Sequence, residues 1–95
     1  MTPRQVKFTA TARRHVAREK PWWLENRTHT DVFVIEFEQA LRVLSLLPAA
    51  GTSYAQAGVS GLRRIYGPKV ACHLYYTFDE TQVIVRAFWS AHRGR

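Results

Sequence analysis

The chain has 95 residues, 46% of them hydrophobic and 13% aromatic, which is enough for one small domain with a modest core and excludes a disordered segment. It carries 14 Lys and Arg residues against 7 Asp and Glu, and the resulting net charge of +7 favours a polyanion or an acidic protein as partner. The single cysteine excludes an internal disulfide, and no apolar run is long enough to cross a bilayer, so we expect one cytoplasmic domain over residues 1–95.

The N-terminal part predicts a strand followed by a helix. The segment RQVKFTA alternates apolar and polar residues, which is typical of a short strand. Thr9 or Thr11 then offers an N-cap for a helix. We expect Pro21 to kink or end this helix near Lys20, and the segment PWWLEN can begin a new turn.

A second helix is predicted from a capping pattern and a periodic stripe. The segment THTD has the spacing of a capping box, with Thr28 as N-cap and Asp31 three residues later. Apolar residues then recur every three or four positions until Pro48, which predicts one stripe laid on a core. The residues of this stripe are Phe33, Phe37, Ala40, Leu41, Leu44 and Leu47.

The C-terminal half predicts a loop and then three strands. The segment PAAGTSYAQAGVSG is small and polar, LRRIY ends at a Gly-Pro turn, and KVACHLYYTF and QVIVRAFW form a hairpin around DET. Strict alternation predicts that Trp89 shares the face of Val83 and Val85, with Arg86 and Phe88 on the other face. The whole order predicts an α+β fold, β-α-α-β-β-β, with a helix hairpin on one face of a small twisted antiparallel sheet and the first strand at an edge.

The order of elements and three segments resemble the ParE/RelE superfamily of toxins from type II toxin–antitoxin modules. The segments are VKFTATARR, FEQALRVLSLLPAAG and GLRRIYGPKVACHLYYTFDETQVIVRAFWSAHRGR. The resemblance covers nearly the whole chain and is closer to ParE than to RelE. It implies a toxin neutralised by a cognate, acidic, ParD-like antitoxin that folds on binding. ParE-like members inhibit DNA gyrase, whereas RelE-like members cut messenger RNA on the ribosome.

The residues themselves leave two modes of action open. A non-catalytic inhibitor needs a charged and partly aromatic binding surface, whereas a metal-free RNase needs a base, an acid and cations around a phosphate. We favour the inhibitor. The expected target-binding residues are Arg63, Arg64, Arg86, Trp89, His92, Arg93 and Arg95. The candidates for a nuclease are His73, Tyr75, Arg86 and His92.

The family resemblance also raises a doubt about the C-terminal histidine. Family members often carry a histidine directly after the aromatic residue of the last strand, but here Ser90 stands at that position and His92 comes two places later. For Trp89 a core position is as consistent with the sequence as a target contact. The resemblance therefore does not carry the role of the family histidine over to His92.

The remaining expectations concern the antitoxin, metals and the cysteine. Apolar residues off the main stripe of the helices, Trp22, Trp23, Val34 and Leu46, are expected to contact the antitoxin. The four histidines lack metal-binding spacing and there is no glycine-rich phosphate loop, so we expect no metal and no cofactor. Cys72 lies on the apolar side of its strand with no base beside it, which predicts a buried structural thiol.

Overall fold

The computed structural model describes the backbone of residues 3–25, 30–56, 58–67 and 72–90, and their side chains except those of residues 20–25, 30–33 and 90. The predicted order of strands and helices is confirmed. One further short strand lies within the segment that was expected to be a loop. In chain order the elements are β1 (Gln5–Phe8), α1 (Ala10–Glu25), α2 (Thr30–Leu46), a 3₁₀ turn (Pro48–Ala50), β2 (Thr52–Ser53), β3 (Arg63–Gly67), β4 (Cys72–Phe78) and β5 (Gln82–Ser90).

Helix α1 begins at the predicted cap but ends later than predicted. The hydroxyl of Thr9 accepts a hydrogen bond from the N–H of Ala12 at 3.0 Å, which makes Thr9 the N-cap. The helix continues through Pro21 to Glu25, so the predicted end near Lys20 is wrong. A proline removes one N–H donor from the helix, and here that local loss does not end it.

Helix α2 lays its predicted stripe on the core, with one exception. Leu44 is fully buried, and Phe37 and Leu41 pack against the core beside it. Leu47, in contrast, is 60% exposed, so its assignment to the stripe is wrong. The helix ends at Leu46, and the backbone of Leu47 (φ −132°, ψ 72°) no longer follows the helical period. Thr28 and the side chains of Asp31 and Phe33 lie outside the described residues.

The five strands form one mixed sheet in the order β1-β5-β4-β3-β2. Strand β1 lies at an edge, as predicted, and runs parallel to β5, whereas all other pairs are antiparallel. One face of the sheet packs against the helices and forms the core. The buried residues of this core are Ala12, Leu44, Cys72, Leu74, Tyr76, Val83, Val85 and Phe88. Cys72 is therefore buried in the core, as predicted.

A β-bulge interrupts the pairing of β4 with β5. Tyr76 pairs with Val85, but the preceding residue of β4, Tyr75, pairs with Ala87. Arg86 is therefore an extra residue in β5 with no residue of β4 opposite it. Such an insertion reverses the alternation of side chains along the rest of the strand.

The bulge overturns the predicted faces of the last strand. Phe88 is only 4% exposed and packs edge-on against Phe37 at 5.3 Å between ring centroids. Trp89 is 48% exposed and does not continue the buried face of Val83 and Val85. The prediction failed because it assumed unbroken alternation. The same insertion brings Trp89 onto the face of the sheet that is turned away from the core.

Tyr76 connects the end of the helical part to the sheet. Its side chain is fully buried, and its hydroxyl donates to the carbonyl of Pro48 at 2.6 Å and accepts from the N–H of Gly51 at 2.9 Å. A Cβ atom on Gly51 would lie 2.6 Å from the carbonyl oxygen of Arg64 and 2.6 Å from the Tyr76 hydroxyl. This close approach requires glycine at position 51.

We expect Tyr76→Phe to lower the free energy of unfolding by about 1–3 kcal/mol, because it leaves a buried carbonyl and a buried N–H without their partner. Urea denaturation measures this loss. Tyr66→Phe is the matched control, since Tyr66 is 48% exposed, and its change should stay within about 0.5 kcal/mol. Equal stability of the Tyr76→Phe variant and the wild type would contradict the assigned role of Tyr76.

A cationic and aromatic face as the candidate functional site

The face of the sheet turned away from the core carries most of the predicted functional residues. Cross-strand pairs place Tyr66 opposite His73, and His73 opposite Trp89. The two candidate nuclease residues Tyr75 and His73 therefore share this face with Trp89 and, through the bulge, with Arg86. We call this surface the outer face. Its residues are Arg64, Tyr66, His73, Tyr75, Thr77, Ile84, Arg86, Ala87 and Trp89.

Helix α1 secures the part of β5 that carries the outer-face residues. Strand β1 pairs with β5 only as far as Val85. Beyond that point the hydroxyl of Thr9 donates to the carbonyl of Arg86 at 3.4 Å, and the N–H of Phe88 donates to Nδ1 of His15 at 3.1 Å. The side chains of Thr9 and His15 thus form hydrogen bonds with backbone groups that would be unpaired at the edge of a sheet.

A stacked cluster joins the same helix to Trp89. The guanidinium of Arg18 lies 4.7 Å from the Trp89 ring centroid, and the His15 ring lies 4.8 Å from it. Burial lowers the pKa of His15, and the positive charges of Arg18 and Arg14 lower it further. A neutral imidazole is what the hydrogen bond from the Phe88 N–H requires, since Nδ1 must accept.

A second cluster covers the other half of the outer face. The guanidinium of Arg64 lies 4.9 Å from the ring centroid of Tyr54, and Tyr54 packs edge-on against Tyr75 at 5.0 Å. The His73 ring lies 4.8 Å from Tyr66 and 6.2 Å from Tyr75. Burial and, to a smaller extent, the charge of Arg64 lower the pKa of His73. This histidine is therefore neutral near neutral pH.

A cleft of about 460 Å³ opens on the outer face between the start of α1 and the loop that precedes β3. Arg86 lies in its wall, exposed, with Nε donating to the hydroxyl of Thr77 at 2.9 Å. No carboxylate belongs to any of the described residues that line it. These residues are Thr9, Thr11, His15, Tyr54, Gln56, Val59, Leu62, Tyr75, Arg86, Ala87 and Trp89.

Arg63 does not join the outer face, although the sequence analysis grouped it with Arg64. Its guanidinium donates to the carbonyl of Gly51 at 2.7 Å and to that of Ala49 at 3.2 Å, on the opposite face of the sheet. Neighbouring residues of a strand point to opposite faces, so the two arginines diverge. The expected target-binding residues His92, Arg93 and Arg95 lie outside the described residues.

The residues expected to contact the antitoxin lie on the two helices. Trp22 and Trp23 belong to α1, but their side chains lie outside those described. Val34 and Leu46 are 38% and 37% exposed on α2. Together with neighbouring exposed apolar residues they form what we call the α2 patch. Its members are Val34, Ile35, Val43, Leu46 and Leu47.

The sequence analysis missed several residues of the site, among them Tyr66 on β3. His15 and Arg18 come from the helix, and Tyr54 comes from the predicted loop. His15 lies three residues after the buried Ala12, a spacing that brings two helical residues to the same side, and this signal was available. For Tyr54 the sequence shows only an isolated aromatic residue among small polar ones. Its position depends on how the loop folds back onto the sheet.

The described parts of the chain show neither a metal-binding cluster nor a membrane-spanning helix. No group of three or more His, Cys, Asp or Glu residues is placed to hold a metal ion. Neither helix, as far as its residues are described, is long and apolar enough to cross a membrane.

We expect the protein to lose stability as the pH falls below the ordinary histidine pKa of 6.5. Because the folded-state pKa of His15 is lowered, the unfolded chain binds more protons there than the folded one. The stability that neutral His15 contributes is fully present above pH 6.5 and is lost as the pH falls through its lowered pKa. Urea denaturation from about pH 7.5 down to about pH 5 measures this, and the loss should be smaller in His15→Gln. Identical pH profiles of the two proteins would refute this role.

The comparisons with known proteins agree with this architecture. The sequence matches no protein-family model and has no significant match among curated proteins. The structure is similar to a chain of the chromosomal ParDE toxin–antitoxin system from P. aeruginosa, with a TM-score of 0.69 and 10% identity over 90% of this chain and 92% of that one. It is also similar to a chain of the toxin–antitoxin complex RelBE2 from Mycobacterium tuberculosis, with a TM-score of 0.66 and 26% identity over 95% of this chain and 93% of that one. The chain belongs to the ParE/RelE superfamily.

Proposed function

We propose that the protein is the toxin of a type II toxin–antitoxin module and acts in the manner of ParE. In this proposal it binds DNA gyrase without chemistry of its own, blocks replication and is neutralised by a cognate antitoxin. The observation that carries the proposal is the outer face, which holds Arg64, Arg86 and the half-exposed Trp89 on one side of the sheet. Arginine and tryptophan are the residue types most enriched among binding hot spots.

The aromatic rings of the outer face are already packed by neighbouring side chains, which favours a protein target over a single-stranded nucleic acid. Single strands bind by stacking their bases on free aromatic faces. Here Trp89 already carries the guanidinium of Arg18, and Tyr54 carries that of Arg64. Tyr75 is packed by the Tyr54 ring. The outer face therefore offers cations and ring edges, which suit the carboxylates and apolar groups of an acidic protein.

Gyrase as the target comes from the resemblance to ParE, and the charge of the chain is compatible with it. A net charge of +7 raises the encounter rate with an acidic enzyme that is bound to DNA. The mode of action needs only that the outer face holds one state of the catalytic cycle of gyrase.

For the antitoxin we propose the α2 patch as a contact surface. Its exposed apolar side chains lie on α2 and directly after it, where an apolar partner segment would cover them. Val34 and Leu46 belong to it, and Trp22 and Trp23 on α1 remain proposed contacts. An acidic antitoxin chain that folds on binding fits a basic toxin of this charge.

A RelE-like ribosome-dependent mRNA endonuclease is the second candidate, and a specific observation favours it. The neutral His73 lies with Arg64 and Tyr66 around a second depression of about 510 Å³, whose other wall is formed by residues 50–52 and Ile65. Its Nδ1 atom is buried without a hydrogen-bond partner among the described residues, which leaves Nε2 as the nitrogen that can meet a substrate. A neutral imidazole beside an arginine could take a 2′-hydroxyl proton. The identity of 26% to a chain of the RelBE2 complex is compatible with this reading.

A gyrase supercoiling assay with the purified protein tests the first proposal. We expect inhibition of supercoiling and accumulation of cleaved plasmid, and we expect Arg86→Ala to weaken the inhibition about tenfold or more, since a charge-assisted contact is lost. Arg42→Ala removes the same charge from an exposed position on α2 and is the matched control. Full inhibition by the Arg86→Ala variant would remove Arg86 from the proposed surface.

Incubation with a translation extract tests the second candidate with the same protein preparations. Cuts in messenger RNA at codon-defined positions, lost in His73→Gln and accompanied by no inhibition of gyrase, would overturn the ParE-like proposal in favour of the RelE-like one. Inhibition of gyrase without such cuts is the result that we expect.

A further inference from the structure

The cleft on the outer face is lined by four separate elements, which distinguishes it from a flat charged surface. The start of α1, strands β4 and β5, and the loop before β3 each contribute part of the wall. The two ends of this loop are joined by a backbone hydrogen bond, which the N–H of Tyr54 donates to the carbonyl of Leu62 at 2.9 Å. The volume of about 460 Å³ lies in the range of clefts that accept a small ligand or a few side chains.

Arg86, Tyr54 and Tyr75 provide this cleft with a cation and with hydrogen-bond donors. Arg86 uses Nε to bond Thr77, so its terminal nitrogens remain available to a ligand. The hydroxyls of Tyr54 and Tyr75 make no hydrogen bond to other described residues and can also donate. Such a set matches a carboxylate, which accepts two hydrogen bonds from a single guanidinium.

Further arginines stand at the rim of the cleft on two sides. On the helix side Arg14 donates through Nη2 to the hydroxyl of Thr11 at 3.1 Å, and Thr11 lines the cleft. On the loop side Arg64 lies against Tyr54. Each of these cations thus contacts a residue that lines the cleft, and none of the described lining residues offers a carboxylate in compensation.

We infer that this cleft is the docking site for an acidic segment of the target protein, with a carboxylate side chain seated on Arg86 beside the packed rings of Tyr54 and Tyr75. The inference rests on the proposed function, because it assigns a place to the target in that proposal. It extends the target-binding surface from the strands to the first half of α1. It also gives the cleft a protein ligand, since the rings in its wall are already packed by neighbouring side chains.

A fluorescein-labelled octaglutamate peptide tests the inference by fluorescence anisotropy with the full chain. We expect the wild type to bind the peptide and Arg86→Gln to weaken the affinity about tenfold or more, because the seated carboxylate loses its bidentate partner. Arg42→Gln, which removes one charge from α2, should change the affinity less than about twofold. Circular dichroism and the urea midpoint of each variant show whether it is folded.

Several results would overturn the inference. Equal weakening by Arg86→Gln and Arg42→Gln would mean that only net charge matters. Unchanged affinity of Arg86→Gln would place the peptide elsewhere, and tighter binding of a labelled oligothymidylate that is lost in Arg86→Gln would assign the cleft to nucleic acid. The supercoiling assay distinguishes failure of this inference from failure of the proposed function. If the wild type inhibits gyrase and Arg86→Gln inhibits it equally, the inference fails while the proposed function stands. If the wild type does not inhibit gyrase, the proposed function fails.

Discussion

The bulge at Arg86 is the constraint on which the arrangement of the outer face depends. Before it, β5 contributes Val83 and Val85 to the core. After it, even-numbered residues of β5 instead of odd-numbered ones face the core. Phe88 therefore lies in the core and Trp89 lies on the outer face. With regular pairing, a tryptophan would enter the core and a phenylalanine would be exposed in its place. One inserted residue therefore places Phe88 in the core and Trp89 on the outer face.

An irregular strand end needs support, and helix α1 supplies it. The bulged half of β5 lies beyond the reach of β1, and its open backbone groups are bonded by Thr9 and His15. The same histidine packs against Trp89, whose ring also carries Arg18. Helix α1 is thus more than a brace for the sheet. It fixes the geometry of the outer face and contributes charges to it.

The sequence predicted core-facing residues correctly where the spacing of apolar residues was regular along a whole helix or strand. The stripe of α2 around Phe37, Leu41 and Leu44 and the hairpin around DET followed from regular spacing, and the structure confirms both. The faces of Phe88 and Trp89 did not follow, because nothing in QVIVRAFW, such as a glycine, marks the inserted residue.

The candidate site was predicted in part, and the failures have different causes. His73, Tyr75 and Arg86 were named together as nuclease candidates, and they do share the outer face. The alternation of side chains, applied to the preceding strand, would have separated Arg63 from Arg64. The contribution of Tyr54 and the edge contact of His15 depend on tertiary folding of a loop and a helix end, for which a single sequence carries little signal.

The central claim, that the outer face binds the target, is tested most directly by hydroxyl-radical footprinting of the complex with gyrase. The account predicts that oxidation of the aromatic side chains around the cleft, those of Tyr54, Tyr75 and Trp89, falls on binding, while oxidation of Leu47 on the α2 patch stays as it is in the free protein. Unchanged oxidation around the cleft together with protection of Leu47 would contradict it and assign the target to the helical side.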